Sequence, residues 1–146
     1  DQPVEEMAAV RAEAGLSMVQ LHGHERPEVA TSLGGAVIRA VGIDDVEAEA
    51  EAWPAETTWL LDAIDPARRG GTGVLVDWPR AAQAARRRPI ILAGGLTPDN
   101  VADAIAAVRP FGVDVSSGVE QAPGIKDPEK VRLFVQRARR AFEEGA

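Results

Sequence analysis

Apolar residues occur in this chain as short runs that alternate with stretches of helical spacing. Five runs have the pattern of strands, and they begin near residues 18, 36, 58, 89 and 112. Successive starts are 18 to 31 residues apart, which leaves room for one helix and two loops between strands. This spacing is typical of successive βαβ units. The pattern therefore predicts a parallel α/β sheet in a single domain over residues 1–146.

Helices are predicted where apolar positions recur every three or four residues. These segments are residues 4–14, 27–33, 44–52, 78–87, 101–108 and 128–143. Two architectures fit the resulting order of elements: a doubly wound open sheet, or part of an eight-stranded barrel. A complete barrel takes about 250 residues. In the barrel case this chain would supply five βα units and lack about three strands.

Three of the predicted strands end on polar side chains that face away from their bulky apolar residues. These side chains are Gln20 and His22 in the first strand, Asp62 in the third, and Asp114 and Ser116 in the fifth. The carboxyl ends of parallel strands meet at one edge of a sheet, where ligands bind in α/β folds. A single strand-end Asp is often only a helix cap, but three such strands favour a binding site.

Small residues follow the third, fourth and fifth strands. They are Gly71, Gly73, Gly94, Gly95, Ser117 and Gly118, with Ser116 just before them. Backbone N–H groups without a covering Cβ can approach a phosphate closely. Neither a Gly-Lys-Ser/Thr phosphate loop nor a spaced dinucleotide fingerprint is present. The loops therefore predict a site for a sugar phosphate in preference to ATP or NAD.

Composition excludes several other kinds of chemistry. The chain has 146 residues, a net charge of −7, no cysteine and two histidines. Disulfides, thiolate ligands and thiol catalysis by these residues are excluded, and we expect neither a metal nor a cofactor. The arginine-rich segments at 86–88 and 137–140 lie in helices that also carry acids, so we expect no nucleic-acid partner.

Other expectations concern location and packing. No apolar run is long enough to span a membrane, so we expect a cytoplasmic protein. The sequence begins Asp1-Gln2-Pro3 without Met, and we expect it to start inside a larger gene product. The acidic helix at 44–51 and the basic helix at 81–88 should be solvated outer faces. Three tryptophans, at 53, 59 and 78, should be packing residues.

The motifs occur in a recognisable order along almost the whole chain. They are VQLHG at 19–23, LLDA at 60–63, GTG at 71–73 with DW at 77–78, LAGGLTPDNV at 92–101, and GVDVSSGVE at 112–120 with PG at 123–124 and KD at 126–127. The series closely resembles the phosphoribosylanthranilate isomerase family. The resemblance implies a (βα)8 TIM barrel of which this chain supplies strands four to eight.

The resemblance also implies an activity, an aldose–ketose isomerisation in tryptophan biosynthesis. The family converts N-(5-phosphoribosyl)anthranilate into 1-(2-carboxyphenylamino)-1-deoxyribulose 5-phosphate by an Amadori rearrangement, without metal or cofactor. By resemblance, Asp62 is the general acid, and Gln20, His22 and Asp114 line the substrate pocket. Glycine and serine loops then hold the phosphate. To donate a proton near neutral pH, Asp62 needs a raised pKa, and burial or Asp114 could provide it.

Two departures from the family pattern affect the expected activity. The family's general base is a cysteine after its first strand, and an arginine after its second strand binds the substrate carboxylate. Neither has a counterpart here, so we expect these 146 residues alone to be inactive. His24 stands where the family usually has an acidic residue, and we expect this difference to have no effect on function. The alternative is a non-catalytic partial barrel that binds sugar phosphates. In either case, the free edge of the first strand should pair with missing N-terminal strands or with a second copy.

Overall fold

The strands of the main sheet lie side by side in sequence order. The computed structural model describes residues 1–34, 37–62 and 76–145. Five strands form this sheet in the order β1-β2-β3-β4-β5, and every neighbouring pair is parallel. They are β1 (Val19–Leu21), β2 (Val37–Gly42), β3 (Thr58–Asp62), β4 (Ile90–Leu92) and β5 (Gly112–Val113). The five predicted strands are thus confirmed, although the fifth ends at Val113 and not at 116.

Helices precede or connect these strands. They are α1 (Val4–Glu13), α2 (Glu28–Ser32), α3 (Val46–Ala52), α4 (Trp78–Ala85), α5 (Val101–Val108) and α6 (Pro128–Glu144). Asp77 caps α4 and Asp127 caps α6, and each is followed by a proline in the first turn. After β5 come a 3₁₀ turn (Ser117–Val119) and an antiparallel hairpin of β6 (Glu120–Ala122) and β7 (Ile125–Lys126). The sequence analysis did not predict this turn or this hairpin.

All six helices pack on the same side of the sheet. Alternate strand residues such as Leu21, Trp59 and Leu92 are buried there against helical residues. The opposite side, which we call the inner face, has its own cluster of strand residues: Ile38, Ala40, Leu60, Ile91 and Ala93. No helix of the described residues contributes to that cluster. A doubly wound sheet carries helices on both faces, so this arrangement is the wall of a barrel.

The inner face brings the carboxyl ends of its strands to one edge. Ala40 is level with Leu60, and Gly42 is level with Asp62 at the end of β3. On the next strands, Leu60 is level with Ile91, and Ile91 with Gly112. Side chains two residues further along each strand therefore project on the same face, near the same edge.

Arginines of α4 and the following turn pack against α3 and the residues around it. Arg80 pairs with Asp44 at 2.6 Å, and Arg87 pairs with Glu47 at 3.1 Å. The expectation of a fully solvated basic face is wrong for Arg88, which is only 9% exposed and stacks on Trp59 at 3.8 Å. Trp59 is itself 1% exposed, as expected of a packing residue.

Candidate active site

Two carboxylates lie at the carboxyl edge of the inner face. Asp62 is the last residue of β3, and Asp114 directly follows β5. Burial and, next in size, the negative charge of Asp62 raise the pKa of Asp114, while Lys126 lowers it. Asp114 as a residue is exposed, but its carboxyl group sits deep enough on the inner face to lose hydration. The raised pKa that the sequence analysis requires of Asp62 stays a prediction.

Gln20 and His22 project from the other edge of the sheet. Val19 and Leu21 pack among the helices, so the alternation of the strand turns Gln20 and His22 toward the inner face. The strand order puts β1 at the edge opposite β5. Neither side chain makes a hydrogen bond to another residue that the structure describes. Both are therefore available to a ligand on the inner face, but nothing joins them directly to Asp62 or Asp114.

The loops after β4 and β5 touch each other, as the predicted phosphate site requires. A Cβ added to Gly118 would overlap the carbonyl oxygen of Leu96, so only glycine permits this approach. Gly94 and Gly95 have positive φ angles of 82° and 65°. Asn100 fixes the first loop, since its side chain donates to the Gly95 carbonyl at 3.0 Å and accepts from the Thr97 N–H at 2.8 Å.

Several backbone N–H groups in these loops make no hydrogen bond to a residue that the structure describes. Within the described part of the chain, the N–H groups of Gly94 and Gly95 donate to no acceptor. The first hydrogen bond of the 3₁₀ turn runs from the Val119 N–H to the Ser116 carbonyl. The N–H groups of Ser117 and Gly118 come before this bond and have no partner within the turn. Gly71 and Gly73, the other predicted phosphate residues, lie outside the described residues. The glycines at 94, 95 and 118 thus meet in one small region.

The sequence analysis missed a buried arginine behind the β1 loop. Arg39 of β2 donates to the Gly23 carbonyl at 2.9 Å and pairs with Glu25 at 3.3 Å and Glu49 at 3.2 Å. Its guanidinium also stacks on Trp53 at 5.0 Å. The side chain points to the helix side of the sheet and holds the segment that follows His22. Its only sequence signal is a charge within an otherwise apolar strand.

Neither a cluster of metal ligands nor a membrane-spanning helix is found in the described residues. No three of their His, Asp and Glu side chains converge as metal ligands would. None of their helices combines the length and the apolar character that crossing a bilayer requires. The expectations of no metal and no cofactor remain predictions.

The chain has a parallel sheet that is covered by helices on one face and carries polar groups at the carboxyl edge of the other. This arrangement places it among the (βα)-barrel proteins. Residues 1–137 match the family model of N-(5'-phosphoribosyl)anthranilate (PRA) isomerase. The chain belongs to the N-(5'-phosphoribosyl)anthranilate isomerase family. The resemblance on which the sequence analysis relied is thereby confirmed.

Individual relatives agree with the family assignment. An N-(5'-phosphoribosyl)anthranilate isomerase from Geotalea uraniireducens is 50% identical over 125 residues, which are 85% of this chain and 62% of the relative. The crystal structure of the isomerase from Thermotoga maritima is 37% identical, with a TM-score of 0.82 over 95% of this chain and 69% of that chain. A phosphoribosyl anthranilate isomerase in complex with reduced 1-(o-carboxyphenylamino)-1-deoxyribulose 5-phosphate is 36% identical, with a TM-score of 0.78 over 95% of this chain and 68% of that chain. The chain thus spans less than two thirds of the first relative's length.

Proposed function

We propose that this chain supplies the general acid, part of the substrate pocket and the phosphate site of a phosphoribosylanthranilate isomerase. The reaction is the Amadori rearrangement of N-(5-phosphoribosyl)anthranilate to the 1-deoxyribulose 5-phosphate. The observation that carries the proposal is the placement of two interacting carboxylates, Asp62 and Asp114, at the same edge as the glycine loops. A sugar phosphate can then lie with its ring near the acids and its phosphate at the loops.

The rearrangement needs two proton transfers, one from an acid and one to a base, and the site must provide a different group for each. An acid protonates the ribose ring oxygen, the ring opens to an iminium, and a base removes the proton from C2. We assign the first step to Asp62, which is half-buried at the centre of the sheet. Asp114 provides a second carboxyl group at the same edge, and the charge of Asp62 adds to the burial that raises the pKa of Asp114. Gln20 and His22 bind the substrate from the opposite edge.

The base is the part of this mechanism that the chain does not supply. No cysteine is present in the 146 residues, although the resemblance implies a cysteine base. We infer that the proton acceptor for C2 comes from outside this set of residues. The two acids and the phosphate loops are sufficient for binding and ring opening but not for the complete reaction.

The phosphate of the substrate would bind to backbone N–H groups. Gly95, Ser117 and Gly118 offer such groups where the two loops meet, and Gly94 precedes them. We include Gly71, Gly73 and Ser116 in this site, as the sequence analysis does. Charge on a bound phosphate is well stabilised by convergent N–H dipoles, with no need for a lysine or an arginine.

Both edges of the sheet carry exposed apolar side chains. Leu16 is 50% exposed and Met18 40% exposed beside β1, and Phe111 is 75% exposed beside β5. Such residues and unpaired strand edges favour association. The Thermotoga maritima isomerase is described as dimeric. We propose that the edges pair with further strands or with a second copy in the cytoplasm, and sedimentation velocity would detect the second case as a doubled mass.

A second candidate function is binding of a sugar phosphate without catalysis. The absence of cysteine favours it, since the phosphate loops and pocket remain while the base is absent. In this case the chain would bind product analogues and release them unchanged.

Binding and turnover measured on the same material separate the two candidates. Calorimetry with the reduced product should show binding by the wild-type chain and weaker binding by the Gly118→Ala variant. Loss of the fluorescent substrate should then be followed for the chain alone and for the complete protein that carries it. Turnover only in the complete protein supports the isomerase proposal. Binding without turnover in both supports the second candidate, and no binding in either contradicts both.

A further inference from the structure

A lysine from the β6–β7 hairpin reaches back to the end of β5. The Nζ of Lys126 donates to the Ser116 carbonyl oxygen at 2.8 Å and lies 3.5 Å from the Ser116 hydroxyl. It also forms an ion pair with Glu120 at 2.9 Å. These contacts join a residue of the hairpin to the residue that begins the 3₁₀ turn.

The contact fixes the part of the chain that carries Gly118. Ser116 has φ −117° and ψ −88°, outside the helical and strand conformations, and its carbonyl also accepts the longer bond of 3.4 Å from the Val119 N–H. Lys126 therefore provides the shorter bond to a carbonyl whose orientation sets that turn. On the other side of the turn, the Asp127 N–H donates to the Val119 carbonyl at 2.8 Å. The end of the hairpin thus forms hydrogen bonds with residues on both sides of the turn.

The same ammonium group acts on the acids of the site. Its positive charge opposes the burial and the Asp62 charge that raise the pKa of Asp114. Its hydrogen bond to Glu120 holds the pKa of Glu120 below its usual range. In the described residues, the charged groups acting on the Asp114 carboxyl are Asp62 from β3 and Lys126 from β7.

We propose that Lys126 is a positioning residue, which orients the Ser116–Gly118 turn for phosphate binding and places a positive charge beside the paired acids. This inference rests on the proposed phosphate site. It goes beyond that site because Lys126 is not one of the proposed phosphate-binding residues and acts on them from the β6–β7 hairpin. Its contribution is exerted through Ser116 and Asp114.

A neighbouring lysine provides a matched control. Lys130 donates to the Glu120 carbonyl at 2.7 Å, so it also anchors the hairpin, but it makes no contact with Ser116 in the described residues. Lys126→Met and Lys130→Met each remove one ammonium group from the same region. Lys126→Arg keeps the charge and the ability to donate. A purely structural role of the hairpin would make the two methionine variants behave alike.

The test uses inorganic phosphate and the backbone amide signals of Ser117 and Gly118 in nuclear magnetic resonance spectra. Phosphate should shift these signals in the wild-type protein. Lys126→Met should weaken the affinity about tenfold, because the turn loses the charge-assisted hydrogen bond that orients it for phosphate. Lys130→Met should bind as the wild type does, and Lys126→Arg should recover most of the affinity.

A carboxyl titration gives the second readout. The Lys126→Met variant should show a higher pKa of Asp114 than the wild type, because the opposing positive charge is gone. The Lys130→Met variant should leave that pKa in place.

The outcomes separate this inference from the proposed function. Weaker phosphate binding and a higher pKa of Asp114 in Lys126→Met alone support the role of Lys126. Normal binding and an unchanged pKa in that variant overturn it and leave the phosphate site intact. Equal losses in both methionine variants also overturn it, in favour of hairpin anchoring. If phosphate shifts neither amide in the wild type, the phosphate site and this inference both fail.

Discussion

The carboxylate of Asp62, at the end of β3, raises the pKa of the Asp114 carboxyl just beyond β5. One strand, β4, separates the two, and its inner-face residues near this edge are small or apolar, with Ala93 beside them. Little on that side screens one acid from the other. Ionisation of Asp62 therefore makes loss of the proton from Asp114 less favourable.

Removal of the Asp62 charge should lower the pKa of Asp114. The Asp62→Asn variant keeps the shape of the side chain but cannot carry a negative charge, so only the effect of burial is left to raise that pKa. Carboxyl signals followed by nuclear magnetic resonance against pH would measure the change. Asp99→Asn is the control, since Asp99 pairs with Arg137 on the helix side. An unchanged pKa of Asp114 in Asp62→Asn would show that the two acids do not interact.

The raised pKa of Asp114 also predicts how stability depends on pH. The folded chain binds this proton more tightly than the unfolded chain, in which the pKa is near 3.8. The free energy of unfolding is therefore higher at low pH. It falls as the pH rises from the unfolded pKa of 3.8 through the raised pKa of the folded chain. Asp114→Asn removes this fall. Relative to the wild type, the variant should gain stability across that interval, by less than about 1 kcal/mol because solvent screens the exposed residue.

Urea unfolding of both proteins at several pH values would measure this gain. A difference between the variant and the wild type that is the same at every pH contradicts the assignment of a raised pKa to Asp114.

Gly118→Ala should destabilise the chain and impair phosphate binding. The added Cβ would overlap the Leu96 carbonyl oxygen, so the two glycine loops would have to separate. We expect a loss of about 2 kcal/mol in the free energy of unfolding, as for other overpacked sites. Gly112→Ala is the control, because its Cβ would meet Ile91 at an ordinary 3.7 Å. Equal effects of the two substitutions, measured by urea unfolding, would contradict the close approach of the loops.

Arg39→Met should destabilise the chain more than a surface arginine does. Glu25, whose side chain is 7% exposed, would lose its ion pair with the Arg39 guanidinium. Breaking a buried ion pair from one side costs about 3 kcal/mol. Arg87→Met is the matched control, since its pair with Glu47 is exposed and should contribute less than about 1 kcal/mol. Thermal unfolding would compare them, and equal losses would disprove the role of burial.

Strand alternation and motif order were sufficient to predict most of the architecture. The polar ends of β1, β3 and β5 could be assigned to the inner face because side chains alternate regularly along a strand. The choice between a doubly wound sheet and a barrel wall could not be made from the same pattern. It depends on which side each helix packs, and helices on either side leave similar apolar stripes in the sequence.

Contacts between distant segments account for what the sequence analysis missed. The β6–β7 hairpin contains a proline and a glycine but no alternation of apolar residues, so nothing in its pattern predicts two strands. The contact of Lys126 with Ser116 joins residues ten apart across that hairpin. The raised pKa of Asp114 depends on desolvation, which only the folded arrangement produces.

The most direct test of the account is the turnover of the Asp62→Asn variant in the complete protein that carries this chain. The asparagine cannot protonate the ring oxygen, and general acid catalysis contributes about 10²- to 10⁴-fold. We therefore expect kcat to fall by about that factor while KM changes little. His22→Asn should reduce kcat less, because His22 is assigned to binding. Near-normal kcat in Asp62→Asn together with a large loss in His22→Asn would contradict the account and move the acid to His22.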